Sequence, residues 1–593
     1  MASFYFSTSG SNTTGDGSIG NPWQNFKGKK NGVGALAPGD ICYFKYGDVW
    51  TGSNAEVVVE SSGLSGNVIT LDAYGTPGDG LPTFCGSAIT TAGWTYTGAN
   101  SIYVITGQTQ SYIRVVTQDD NKGLGVWYGS LTALPAGTWA RSGTSLYVRC
   151  WSDADPSTSS VRIGSYAHSS SGDGARGLVS SSRTNGVRGS YVTFNNLKVI
   201  CANGIGFSAS APYNTFNDCV AMGCGGEGSL FYSELGGSNE NADGGRWNRG
   251  EVSYCAAEGS GHGQGCSIYC PRVWYVDTYV HDNFMAGIDF LDFGSGSNCT
   301  ESGALRCTVT DNGRWQDGNS YDPQIYVDGA SEIFIYGCVF SGSGTLSGAT
   351  NARGGLAFGS EHPDTKPCEN VWVINCLGYK NHWATITSGN IGGFNNIKNI
   401  TIVNCTLKAY DSGGYDMVFT FDGRDATVDN WVLRNNIFYA DNSATCGDYV
   451  PADHAFIDAD RNVYYRQGGN TNIWRISNTN KTLAQWRTDT SEDANSVYGD
   501  PLLVNASDSA MDAHISPSSP AIDLGMINPY IAPSWLPADL FPYGTGVRGT
   551  TLASGVFDNT TASIDAGFHY LSGSADPGLG ASTPKGMLLM GCG

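Results

Sequence analysis

Long apolar runs are missing from this chain: none reaches the roughly 18 residues needed to cross a bilayer. Charged residues are sparse, at 14% of 593, low for a globular surface. Basic residues are outnumbered, 32 Lys and Arg against 53 Asp and Glu, for a net charge of −21. An acidic surface repels phosphate backbones, which argues against a nucleic-acid partner. The seventeen cysteines contain no CxxC pair, so zinc-ribbon and dithiol redox motifs lack support. No Gly-X-Y period runs through the chain, which excludes collagen. The opening Met1-Ala2-Ser3-Phe4-Tyr5-Phe6 has neither the basic nor the apolar region of a secretory signal.

What is present is glycine, 82 residues, with many Ser, Thr and Asn. Gly supplies positive φ and Asn tolerates it, so the composition suits many short strands joined by tight turns. It suits long helices poorly. The middle of the chain repeats one phrase. An apolar strand residue precedes a polar or turn-forming residue, then Cys, then another short strand. The phrase occurs at Phe216–Cys219, Val252–Cys255, Leu305–Cys307, Tyr336–Cys338, Ile374–Cys376 and Val403–Cys405. Tyr279 and Asn436 are expected in the Cys place of two further copies. The spacing varies over roughly 22 to 38 residues, as in solenoids with loops of unequal length. Alternation in a second run of strands turns Ile288, Ile325, Val327, Leu356, Phe358, Ala384 and Ile386 inward. The cysteines read as a column of small buried hydrophobes, and free thiols fit folding in a reducing cytosol.

The expected fold is therefore all-β, a right-handed parallel β-helix. Residues 1–90 form the cap and first coils, and 91–164 an inserted antiparallel subdomain. Residues 165–470 form the central coils, and 471–593 further coils and a loop-rich tail, with a short helix near Thr482–Trp486.

Several phrases carry a family resemblance. Near the start stand Tyr5-Phe6-Ser7-Thr8-Ser9-Gly10-Ser11-Asn12, Gly15-Asp16-Gly17, Asn21-Pro22-Trp23 and Pro38-Gly39-Asp40. Near the end stand Asp493-Ala494-Asn495-Ser496-Val497, Asp500-Pro501-Leu502 and Ser519-Pro520-Ala521-Ile522-Asp523-Leu524-Gly525. They resemble the opening and closing phrases of the right-handed parallel β-helix superfamily, which includes glycoside hydrolases, polysaccharide lyases and phage tailspike depolymerases. The resemblance implies action on an extracellular polysaccharide, as a secreted protein or in a phage tail. It also implies a homotrimer if the chain is of the phage type. It matches no one family's catalytic motif.

Outward side chains of a β-helix stack about 4.8 Å apart along a groove in which a polymer can lie. Asp289, Asp292, Asp328 and Glu361 fall on outward positions of neighbouring coils. Asp289 and Asp328 are expected as diagonal neighbours with Cβ atoms about 8 Å apart, the acid and base of a glycoside hydrolase in an order left open. Asp292 and Glu361 stand in reserve. Strand-end Asp also bonds turn backbone, and calcium is a further reading of the same acids. Tyr269, Trp315, Tyr326 and Trp383 are expected to stack on sugar rings, Arg314 and Arg353 to hold acidic sugars, and His262 and His281 to exchange protons. An endo-hydrolase is the leading function. A lyase working by β-elimination on a uronate polymer and a non-enzymatic glycan-binding fibre are the alternatives.

Overall fold

The computed structural model describes residues 1–570 apart from 28–35, 90–91, 110–112, 120–121, 165–176, 181–188, 233–241, 257–263, 293–297, 315–322, 343–353, 360–366, 390–395, 411–416, 423–426, 442–444, 451–456, 477–478, 542–550 and 553–562. It is a right-handed parallel β-helix. The described residues fall into two compact units. One is built on Met1–Trp274 and takes in Val280–Asp289 with Gly313 and Arg314; the other takes Tyr275–Tyr279, Phe290–Asn312 and residues from 323 on.

Each unit is wound from three parallel sheets, called A, B and C in the order a coil visits them. In the first unit Ile69–Tyr74, Val192–Asn195, Thr215–Asn217 and Arg246–Asn248 pair in sheet A. Thr83–Cys85, Lys198–Ile200, Val220–Met222 and Glu251–Ser253 pair in sheet B. Gly177–Ser180, Ile205–Ala209, Ser229–Phe231 and Cys266–Ile268 pair in sheet C. The second unit repeats the scheme, for example with Ser331–Tyr336, Cys368–Ile374, Asn396–Val403 and Thr427–Arg434 in sheet A.

The recurring phrase is the corner between sheets A and B. One residue there takes positive φ: Asp218 (53°) and Arg249 (53°) in the first unit, and Asp277 (51°), Arg306 (53°), Gly337 (65°), Asn375 (54°), Asn404 (54°), Asn435 (57°) and Arg461 (58°) in the second. Asn and Asp bear this conformation best among residues with a Cβ, and Gly bears it freely. The residue that follows turns inward: Cys219, Cys307, Cys338, Cys376, Cys405, Asn436 and Asn462 are all buried. Its side chain accepts the backbone N–H of the preceding coil's corner. Cys338 Sγ takes Cys307 N at 3.4 Å, Cys405 Sγ takes Cys376 N at 3.3 Å, Asn436 Oδ1 takes Cys405 N at 2.9 Å, and Asn462 Oδ1 takes Asn436 N at 2.9 Å. Cys and Asn thus do one job, Cys as the weaker acceptor.

Two readings of the sequence need correction. Thr278, not Tyr279, holds the Cys place after Asp277, because the corner is one residue shorter than the phrase suggested; Tyr279 opens the strand Tyr279–His281. Cys255 belongs to the corner between sheets B and C. It follows the positive-φ residue Tyr254 (54°), as Asn283 follows Asp282 (56°), and Asn283 Oδ1 accepts Cys255 N at 2.9 Å. Asn436→Ala removes an acceptor from Cys405 N and a donor from Ile402 O, both buried. It is expected to cost about 1–3 kcal/mol, measured by urea unfolding; Asn436→Cys is expected to recover part of that loss.

The insert is an eight-stranded sheet running from Ser87–Ile89 to Arg162–Gly164, antiparallel except where Lys122–Val126 meets Thr138–Ser142. It has its own core of Val116, Leu124, Trp139, Leu146, Val148 and Ile163. It leaves the coils at a B-to-C corner, between Cys85 and Gly177. The strand Lys122–Val126 lies so close to later coils that a Cβ on Gly123 would stand 2.6 Å from Tyr254 O and 2.9 Å from the Phe284 ring. Near the other end, the helix Leu483–Thr490 carries a capping box of Thr482 and Gln485 and stacks Trp486 on Trp474, centroids 4.7 Å apart. Among the described residues no helix is long and apolar enough to cross a membrane.

Candidate active site

Sheet C of the first unit buries Phe207, Phe231 and Ile268 inside the coil. Alternation therefore points Ser208, Leu230 and Ser267, which lie in register, outward. Two residues on, Tyr232 and Tyr269 also point outward, their rings 5.8 Å apart and near perpendicular. Asp289 is the outward residue of Ile288–Leu291, one position after the buried Ile288. Glu227 lies on the glycine-rich corner Gly225-Gly226-Glu227-Gly228 that leads into the strand Ser229–Phe231. A Cβ on Gly228 would stand 2.4 Å from Val252 Cγ1, so the chain beside Glu227 can pack this closely only with glycine.

These groups converge on one phenol. Tyr269 is pushed well above the ordinary range, first by burial, then by the charges of Glu227 and Asp289, with Tyr232 adding. Tyr269 therefore stays a neutral phenol, flanked by two buried carboxylates. The sequence singled out Tyr269 and Asp289 and missed Glu227, which lies on a corner and not in a strand. Aligning coils through their backbone bonds would have found it. Gly228 N donates to Gly265 O and Gly265 N to Ala286 O, so Glu227, Gln264 and Ala286 occupy one column.

The expectation that the aspartates line an open groove is overturned. Asp289, Asp292 and Asp328 are only 1%, 4% and 3% exposed. Period-two alternation decides which face a side chain takes, but not whether that face is covered. Asp289 belongs to the first unit; Asp292 and Asp328 belong to the second, where Asp292 N donates to Asp328 O at 3.0 Å. Tyr326, against Ala357, and Tyr269 are buried too, at 3% and 6% exposed, and neither is an open sugar platform. Trp383, at positive φ (68°), is half-buried on the corner before Ala384. His262, Trp315, Arg353 and Glu361 lie outside the described residues. Among the described residues no group of three or more His, Cys, Asp or Glu is placed to hold a metal ion.

His281 and Arg314 sit apart from the phenol, at the B-to-C corner where the insert docks. His281 Nδ1 bonds Asp282 Oδ2 at 2.7 Å and Nε2 bonds Glu251 Oε1 at 3.4 Å. Arg314 pairs with Asp282 and lies over the Tyr254 ring at 5.3 Å and the insert's Trp151 ring at 5.7 Å. Arg314 is engaged by Asp282 and does not present the bidentate anion site expected of it. Burial alone would lower the His281 pKa, but Asp282 and Glu251 outweigh it and raise the value. Burial alone would raise Asp282, but His281 and Arg314 hold it below the usual carboxylate range.

A raised imidazole contributes stability fully below its unfolded pKa and loses it as pH climbs through the folded value; a depressed carboxylate loses its contribution as pH falls through its folded value. The cluster should thus support folding most between about pH 4 and pH 6.5, the ordinary values of the two groups. Wild-type thermal midpoints are expected to fall above that window, and His281→Gln is expected to flatten this alkaline slope. An unchanged slope in the variant would assign the pH dependence elsewhere.

No family model matches the chain, and no curated protein matches it. Solved structures do match its backbone. One is a complex of XylC with xylose (TM-score 0.46, 11% identity, covering 85% of this chain and 87% of that one). A second is the pectate lyase Pel9A (0.41, 13%, 90% and 94%). A third is described as a glycoside hydrolase (0.41, 10%, 83% and 99%).

Proposed function

We propose that this chain is a polysaccharide depolymerase that cleaves an extracellular glycan by hydrolysis, with Glu227 and Asp289 as its carboxyl pair. One observation carries the reading: two buried carboxylates act on the same buried, neutral phenol on the outer face of sheet C. Hydrolysis of a glycosidic bond needs one carboxylic acid to protonate the leaving oxygen and a second carboxylate to activate water or attack carbon. A neutral Tyr269 can donate a hydrogen bond to either carboxylate. Ser267 lies alongside as a further hydroxyl. Asp328 and Asp292 in the second unit are the next carboxylates to test.

Two features favour hydrolysis over β-elimination. An eliminating enzyme needs a base ready near neutral pH. Tyr269 is held as the phenol by burial and neighbouring charge, and His281 is held toward the imidazolium by its two acids. The family resemblance puts its work outside a cell, as a secreted enzyme or in a phage tail, with a homotrimer expected for the phage type; a light-scattering mass equal to one 62.6 kDa chain would reject the trimer and favour the secreted monomer. The test of function is incubation with a panel of bacterial capsular, algal and plant polysaccharides. Shorter chains with new reducing ends and no new ultraviolet absorbance are expected. Products bearing a conjugated double bond would mean a lyase, and binding without cleavage a non-enzymatic fibre.

A further inference from the structure

Where the insert leaves the coils, two thiols from neighbouring coils face two side chains from neighbouring insert strands. Cys85 ends the sheet B strand Thr83–Cys85, in register with Ile200, and Cys201 follows Ile200 directly. Cys85, Ile200 and Cys201 form one buried cluster. Thr117 and Arg162 are register partners in the insert. Thr117 Oγ1 stands 3.0 Å from Cys201 Sγ, and Arg162 Nη1 points at Cys85 Sγ from 3.6 Å.

Other thiols stack in the same way without a cation. In the column Cys307–Cys338–Cys376, burial raises all three, which leaves them inert. Cys85 shifts the other way: the neighbouring Cys201 lowers it most, against burial, with help from Ser87 and the Arg162 charge. Cys201 is raised, first by burial and then by the neighbouring Cys85. The pair therefore holds one thiolate-prone sulfur and one proton donor, the arrangement that an oxidised sulfur and a resolving thiol require.

We propose that Cys85 and Cys201 form an oxidative modification site, in which hydrogen peroxide converts the pair to a disulfide that staples the coil before the insert to the coil after it. Cys85 thiolate attacks one peroxide oxygen and the O–O bond breaks, giving the Cys85 sulfenic acid and hydroxide. Cys201 sulfur then attacks Cys85 sulfur, the S–O bond breaks, and water leaves with the Cys201 proton. Two thiols are oxidised by two electrons and one peroxide is reduced to water.

The test is exposure of the folded full chain to hydrogen peroxide, alkylation of remaining thiols, and non-reducing peptide mapping. A Cys85–Cys201 linkage is expected first, lighter by two hydrogens and reversed by dithiothreitol, with the Cys307–Cys405 column still reduced. Arg162→Gln should slow the linkage by about tenfold, and Cys201→Ser should leave Cys85 at the sulfenic acid, trapped by dimedone. Oxidation of the Cys307–Cys405 column before Cys85, or an unchanged rate in Arg162→Gln, would overturn the proposal.

Discussion

Asp289→Asn is expected to lower turnover on the cleaved polysaccharide by at least about a hundredfold, the usual scale of general acid–base catalysis. The amide keeps the side-chain volume and loses the proton chemistry. Glu227→Gln should fall as far, and each variant should lose one limb of the pH–rate profile while polymer binding persists. Asp289 is almost fully buried, so its replacement also bears on folding. The thermal midpoint of Asp289→Asn is expected to hold or rise, as at sites where function is kept at the expense of stability. Normal turnover in both variants would remove this pair from the chemistry, and the same substitutions at Asp328 and Asp292 would follow.

Lys408→Met is expected to destabilise the second unit by about 3–5 kcal/mol, the scale for breaking a buried ion pair from one side. The Lys408 side chain is 3% exposed. Its ammonium donates to Asp441 Oδ2 at 2.9 Å, Asp508 Oδ1 at 2.8 Å and Ala409 O at 3.1 Å, which satisfies all three protons. It also lies 5.8 Å from the centroid of the Tyr439 ring. Removing it leaves Asp441, 4% exposed, as a buried charge without its cation, and frees the segment that Asp508 ties to sheet B. A lower denaturant midpoint that Asp441→Asn partly restores in the double variant is the expected pattern. A shift below about 1 kcal/mol would mean a surface-type pair.

The coil scaffold was legible because its corner is chemically narrow. Positive φ admits Gly, Asn and Asp readily, and the next position must be small and able to face the interior. Asn375-Cys376 and Asn404-Cys405 therefore recur in visible form. The same narrowness misled where two corners share it: Tyr254-Cys255 looks like the A-to-B phrase but sits between sheets B and C. Interior strands of the insert such as Val116–Gln118 and Thr138–Ser142 went unread, since a strand of three to five residues leaves little local period.

The site was legible in part. Alternation puts Tyr269 and Asp289 on the outer face, and both stand there. Burial was not legible, because whatever covers a sheet face lies far away in sequence. Glu227 escaped because a corner has no alternation to follow. Lys408 escaped for a related reason: Thr406–Ala409 reads as a strand with one solvent-facing lysine, and only Asp508, a hundred residues away, makes it a buried clamp.

The most direct test of hydrolytic cleavage is a single digestion in ¹⁸O-labelled water, followed by mass spectrometry of the new chain ends. Hydrolysis breaks the glycosidic bond with an oxygen from water, so each new reducing end should carry the label, and Asp289→Asn should abolish its appearance. Cleavage that yields unsaturated, unlabelled ends would contradict the account and place the chemistry with a base instead of a carboxyl pair.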